Sequence, residues 1–152
     1  MKKVTIYTDG SSKGNPGPGG WAAILEFNGT KKEIYGSEEE TTNNRMELTA
    51  VVKALEALKE PCDLTIYSDS KYFCESLEKG WVKKWKENDW KKSNGKKALN
   101  VELWDKLLNL TKMHIVKIKW VKGHAGNRFN ERCDYLATSA AKSVLKKQTR
   151  YY

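Results

Sequence analysis

The 152-residue chain is 39% hydrophobic and 11% aromatic, enough to bury one core but too short for a second full-sized domain, so residues 1–152 read as a single ordered domain. Lys and Arg number 28 against 19 Asp and Glu, and the excess is concentrated: residues 79–97 carry eight lysines and two acids, and four cations follow Asp134 without an acid. A basic protrusion and a basic C-terminal tail on a near-neutral body point to a polyanionic partner, and no run of about 18 apolar residues is present to span a membrane.

In chain order, Val4 to Thr8 alternates β-branched and aromatic residues and predicts a strand ending at Asp9. Met1-Lys2-Lys3 leads straight into it, without the apolar stretch of a secretory signal. Residues 10–20, rich in Gly, Pro and Ser, read as a loop. Trp21–Phe27 and Lys32–Ser37 flank Asn28-Gly29, a hairpin signal. Leu48, Val51, Val52, Leu55 and Leu58 recur at helical spacing, so residues 43–59 predict a helix stopped before Pro61. Leu64–Ser68 predicts a second strand ending in an aspartate, Asp69. Helices are expected at 71–78, 81–87 and 100–110, a strand at His114–Val121, a loop at Lys122–Gly126 and an amphipathic helix at 127–145. A hairpin followed by strands alternating with helices implies an α/β fold, a mixed sheet covered on both faces. Cys62, Cys74 and Cys133, odd in number and far apart, suit a reducing cytoplasm better than a disulfide framework or a zinc ribbon.

The chemistry lies in the carboxylates. Thr5-Ile6-Tyr7-Thr8-Asp9 is echoed by Thr65-Ile66-Tyr67-Ser68-Asp69. If the two strands lie adjacent and parallel, both acids emerge at the carboxyl edge where open α/β sheets place ligands. Either aspartate alone would more commonly start a turn or cap a helix. Glu47 shares a helical stripe with Val51, Ala54 and Leu58, and Asp134 stands beside Cys133, Ala137 and Ala141. A gain from the helix N-terminus or pairing with Arg45 or a lysine would explain Glu47 without a site, and pairing of an exposed boundary residue with Arg132 would explain Asp134. Four converging carboxylates would need a counter-charge, and oxygen ligands without a Cys or His cluster select Mg²⁺ or Mn²⁺ rather than zinc. His114 reads as structural, whereas His124, between two glycines on a loop near Asp134, suits a proton carrier. The glycine-rich segment is no phosphate-binding P-loop, because no Gly-Lys-Ser/Thr follows it at the required spacing.

Together these residues closely resemble the type 1 ribonuclease H family, in particular its stand-alone bacterial members. The likeness runs from about Val4 to Ala141. It rests on Tyr7-Thr8-Asp9-Gly10-Ser11, Gly14-Asn15-Pro16-Gly17-Pro18-Gly19-Gly20, Thr42-Asn43-Asn44-Arg45-Met46-Glu47-Leu48, Ser68-Asp69-Ser70, Trp120-Val121-Lys122-Gly123-His124-Ala125-Gly126 and Asn130-Glu131-Arg132-Cys133-Asp134. The resemblance implies a five-stranded mixed sheet between helices. It implies endonucleolytic hydrolysis of the RNA strand of RNA–DNA hybrids by in-line attack with two Mg²⁺, leaving 3′-hydroxyl and 5′-phosphate ends. It makes Asp9, Glu47, Asp69 and Asp134 the metal-binding acids and His124 the histidine that assists turnover. Reading a 2′-hydroxyl needs both donors and acceptors, which Gly10, Ser11, Asn15, Asn43 and Asn44 offer. Residues 79–97 match the family's basic protrusion, with Trp81, Trp85 and Trp90 interleaved among Lys83, Lys84, Lys86, Lys91 and Lys92. The four-residue spacing of Trp81 and Trp85 predicts packing of a small helix, while the lysines face phosphates. One departure is Lys71, where well-known bacterial members carry a glutamine that contacts the hybrid. The chain is expected to act as a monomer.

Three other functions fit parts of the pattern. A module that binds hybrids without cutting would not need four acids and His124. Integrase and transposase relatives of the fold lack an acid equivalent to Glu47. A basic amphipathic helix on a membrane surface would be interrupted by Asn88-Asp89 and Ser93-Asn94-Gly95.

Overall fold

Alternating side chains on β1 (Lys2–Ser12) divide the molecule into two cores. In the computed structural model, which describes residues 1–123 and 127–149, β1 lies at the centre of a five-stranded sheet. It pairs antiparallel with β2 (Gly17–Phe27), which pairs antiparallel with β3 (Thr30–Thr41). On its other side β1 runs parallel to β4 (Cys62–Ser68), and β4 runs parallel to β5 (Ile115–Trp120). The order β3-β2-β1-β4-β5 is the mixed sheet expected from the sequence.

Val4 and Ile6, with Ala23, Leu25, Leu64 and Ile66, meet Leu48, Val51 and Leu55 of α1 (Asn43–Glu56) and Trp104 and Leu107 of α4 (Val101–Thr111). Tyr7, Ala22 and Ile24 form a second, smaller core with Cys133, Leu136 and Ala137 of α5 (Arg128–Thr149). Helices therefore cover both faces, as expected. Full burial of each such aliphatic side chain contributes roughly 1.5–3 kcal/mol. Trp104 joins the minor helices to the first core. Its indole N–H donates to the Tyr72 hydroxyl at 2.9 Å, and its ring meets Phe73 of α2 (Lys71–Glu78) and Trp85 of α3 (Trp81–Glu87).

The main correction to the sequence reading concerns residues 10–20. Only residues 13–16 are a loop: β1 runs on through Ser12 and β2 begins at Gly17, with Gly10 opposite Trp21 and Ser12 opposite Gly19. Glycine serves close approach here more than turning. A Cβ on Gly20 would lie 2.1 Å from the Ala137 carbonyl oxygen, so α5 can rest on β2 only where the strand has no side chain. The hairpin strand expected at 32–37 extends over Thr30–Thr41, and α1 ends at Glu56 with Ala57 as its C-cap. β5 starts at Ile115, one residue after His114. His114 is structural, as expected: its Nδ1 accepts the Cys62 backbone N–H at 3.0 Å.

Candidate active site

Positions paired between β1 and β4 differ by 60 throughout, from Lys2–Cys62 to Tyr7–Tyr67, so the internal echo is also the physical register. Asp9 and Asp69 consequently reach the same sheet edge. Asp9 does not end its strand as expected, because β1 continues for three more residues. Asp69 follows the last residue of β4 and precedes Ser70, the N-cap of α2, whose hydroxyl accepts the Phe73 N–H at 3.1 Å.

Glu47 arrives from the other side. Thr42 caps α1 by accepting the Arg45 N–H at 3.2 Å, which starts the helix directly against β1. A Cβ on Gly10 would lie 2.4 Å from the Glu47 nitrogen, so the bare strand beside Asp9 is what admits the first turns of α1. Oxygens of Asp9, Glu47 and Asp69 then lie within 4.8 Å of one another. Asp9 and Glu47 are each 8% exposed, and Glu47 Oε2 is buried without a hydrogen-bond partner.

Burial first, then the charges of Asp69 and Asp134, push the Asp9 carboxyl up to about 8, against two lowering contacts, from the Gly10 N–H and from the Glu47 side chain. Burial and the charges of Asp9 and Asp69 likewise raise Glu47 well above the ordinary carboxylate range. Arg45 and Arg132, the two arginines expected to pair with Glu47 and Asp134, are engaged elsewhere. Arg45 bonds Glu38 of β3 at 3.1 Å and also Glu102 of α4. Arg132 forms a two-point pair with Glu33 of β3, at 2.7 and 3.0 Å. A buried, unbonded carboxylate oxygen beside two more acids calls for a cation. With oxygen donors and no Cys or His in the group, the residues fit a hard divalent ion. Asp134, on α5, is half-buried and acts on Asp9 through its charge but stands outside the 4.8 Å group. His124 lies outside the described residues. Gly123, just before it, sits against Asp69: a Cβ there would be 3.1 Å from Asp69 Oδ2.

Of the residues expected to meet a nucleic acid, the structure brings Asn15 and Asn43 together, and Ser12 joins them. Asn43 Oδ1 accepts the Ser12 N–H at 2.9 Å, and Asn15 Oδ1 accepts the Asn43 N–H at 3.2 Å. Gly10 and Ser11 continue β1 toward this lattice, and Asn44 beside it is exposed. The basic protrusion separates into two faces. Trp81, Lys84, Trp85, Asn88, Lys91 and Lys92 border an open concavity of about 560 Å³, whereas Lys83 and Lys86 line a different groove beside α4. Lys86 is paired with Asp105 at 2.8 Å. Trp85 and Trp90 pack against the core, while Trp81 is exposed with Lys79 over its ring. Helical spacing would have separated these stripes in the sequence, since 81, 84, 85 and 88 share one face of α3. The Arg45 bracket to Glu38 and Glu102 carries no sequence signal, because its partners come from distant elements.

Comparison with known proteins identifies the family and agrees with the fold. The family model described as RNase H matches residues 1–142. The ribonuclease H of Chlorobium phaeobacteroides strain BS1 is 54% identical over 143 residues, covering 94% of this chain and 98% of its own. Among solved structures, LC9-RNase H1, a type 1 RNase H with the type 2 active-site motif, is 31% identical with a TM-score of 0.83, covering 94% of this chain and 74% of its own. LC11-RNase H1, solved in complex with an RNA/DNA hybrid, shares the fold at 21% identity and a TM-score of 0.68, covering 93% of this chain and 99% of its own. With a family model spanning nearly the whole chain and a curated relative more than half identical, the chain belongs to the RNase H family of hydrolases.

Proposed function

We propose that this chain hydrolyses the RNA strand of RNA–DNA hybrids at the Asp9–Glu47–Asp69 edge, leaving 3′-hydroxyl and 5′-phosphate ends. The observation that carries the reading is the cluster itself: oxygens from three acids within 4.8 Å, two of the acids buried, on a chain of this family. Asp9, Glu47 and Asp69 would hold two Mg²⁺, or Mn²⁺ in their place, with Asp134 completing the donor set. Bound there, such ions supply an activated water on one side of the phosphate and a stabilised 3′-oxygen on the other.

The chain's own groups do the remainder. His124, the residue after Gly123 in the chain, carries a proton during turnover. Its replacement by alanine should slow turnover by roughly 10²–10⁴-fold at most. With its Oδ1 already accepting from Ser12, Asn43 presents amide donors to a 2′-hydroxyl, and the Gly10 and Ser11 backbone, Asn15 and Asn44 add to the same minor-groove surface. Lys84, Lys91 and Lys92, with Trp81, receive a phosphate backbone in their concavity; Lys83 and Lys86, on the other side of α3, extend the positive field. Trp85 and Trp90 hold that surface in place from the core side. That LC11-RNase H1 was solved with an RNA/DNA hybrid supports this substrate class.

The reading takes the chain as a cytoplasmic monomer. Its three thiols are free and buried, in keeping with a reducing compartment, and among the described residues no helix is long and apolar enough to cross a membrane. The test is a cleavage assay on hybrid, duplex RNA and duplex DNA, each with Mg²⁺ and with EDTA. Cutting of the RNA strand in the hybrid alone, and only with Mg²⁺, is expected. Cleavage that survives EDTA, or that ignores the DNA strand, would overturn the proposal.

A further inference from the structure

Asp69 belongs to neither β4 nor α2, and its carboxylate projects from the corner between them. Contacts at that corner include the following four. The Ser70 N–H donates to the Ser68 hydroxyl at 3.1 Å, and the Val121 N–H donates to the Ser68 carbonyl at 2.9 Å. Trp120, the last residue of β5, donates its indole N–H to the Asp69 carbonyl at 3.1 Å. Lys71, the first residue of α2, places its ammonium 5.1 Å from the centre of the same indole ring.

Trp120 is 46% exposed, so burial alone does not account for a large ring at this edge of the sheet. Its polar atom reaches back to the acid, and its face is covered from α2. The chain then continues to Gly123, whose missing side chain lets the backbone pass the Asp69 carboxylate. Residues 120–123 thus bond Asp69 at its carbonyl and pass close to its carboxylate.

From this geometry we propose that Trp120 is the positioning residue of Asp69. Its N–H holds the β4–α2 corner so that the carboxylate meets Asp9 and Glu47, and Gly123 leaves room for that placement. The proposal rests on the metal-binding reading above. Trp120→Phe keeps a ring beneath Lys71 and removes only the donor. Loss of one such hydrogen bond should weaken Mg²⁺ binding to the free protein about 3- to 10-fold. The KM for hybrid should stay near the wild-type value while the Mg²⁺ concentration giving half-maximal cleavage rises by the same factor. Gly123→Ala, whose Cβ would press on Asp69 Oδ2, should weaken Mg²⁺ binding as well while leaving the indole donor in place.

Calorimetric Mg²⁺ titrations of the full chain and its variants, beside ¹⁵N NMR of the indole N–H signals, supply the readouts. Of the six tryptophan signals, the one missing from Trp120→Phe identifies Trp120. In the wild type it should move as Mg²⁺ is added, with the calorimetric dissociation constant; in Asp69→Asn it should not move. A folded Trp120→Phe that binds Mg²⁺ like the wild type, or differs from it only in melting temperature, overturns the positioning role. If that variant fails to fold, a wild-type Trp120 signal unmoved by Mg²⁺, or unchanged Mg²⁺ affinity in Gly123→Ala, overturns it instead. Wild-type Mg²⁺ affinity in Asp69→Asn would overturn the metal reading beneath it, a separate outcome.

Discussion

Replacing Asp9 by asparagine should abolish cleavage and yet stabilise the metal-free protein. Asp9 is 8% exposed and faces two further acids, and its carboxyl is raised from 3.8 to about 8. Because the folded value lies above the unfolded one, the native state binds the proton more tightly. The associated stability is complete below about pH 4 and is lost as the pH rises through about 8. At 1.36 kcal/mol per pH unit, the rise from 3.8 to about 8 corresponds to roughly 6 kcal/mol, an upper bound once water and side chains relax. The amide keeps the volume and removes the charge, but a buried amide without a partner itself costs about 1–3 kcal/mol. A net gain of at most about 3–5 kcal/mol at pH 8.5 follows, or up to roughly 6–20 °C in Tm for a domain of this size. Near pH 5 most of the gain should vanish. Thermal unfolding in EDTA at both pH values measures this, and added Mg²⁺ should raise the wild-type Tm far more than that of the variant. A wild-type Tm that is flat or rising between pH 5 and 8.5, with no gain from Asp9→Asn, would refute the argument that desolvation and repulsion dominate the site.

Three further outcomes are expected. Lys84, Lys91 and Lys92 changed together to alanine should raise KM, leave kcat nearly unchanged and lower the slope of log KM against log salt by roughly 2–3, at about 0.7–0.9 per phosphate contact. An unchanged slope would remove the phosphate role even if activity fell. Burial lowers the His114 pKa, so its stability contribution is present above about pH 6.5 and is lost as the pH falls below that value. His114→Asn keeps an acceptor for the Cys62 N–H, so the Tm advantage of wild type over this variant should shrink between about pH 6.5 and 5. Gly20→Ala should cost about 3 kcal/mol or more, because its Cβ would meet the Ala137 carbonyl and α5 must move off the sheet. A Tm within about 2 °C of the wild type would show that α5 yields more easily than the packing implies.

Much of the site was legible because it is built from local patterns that happen to be in register. Two short strands of the same pattern, 60 residues apart, pair at that same offset, so an echo visible in the sequence becomes two carboxylates on one edge. The acid on the apolar stripe of the 43–59 segment was equally visible, and the structure buries it. What could not be read was set by contacts between distant elements. Whether Glu47 and Asp134 were simply paired with nearby arginines depended on Glu38, Glu102 and Glu33, which the fold alone brings to those arginines. The N–H of Trp120 finds Asp69 across 51 positions, with no periodicity to announce it.

The glycine-rich segment shows most clearly why composition misled. Glycine marks a turn when the chain must adopt a left-handed conformation, but it also marks a place where another backbone must come close. Gly10 is of the second kind: it sits in a paired strand, and its absent side chain leaves the space taken by the Met46 and Glu47 backbone. A larger residue there would push α1 away from β1 and carry the Glu47 carboxylate away from Asp9, whatever it did to the strand. The loop-like composition after Asp9 and the buried acid on α1, two separate features of the sequence, are one feature of the structure. The acidic edge exists because a strand was left bare next to one acid so that a helix could deliver another.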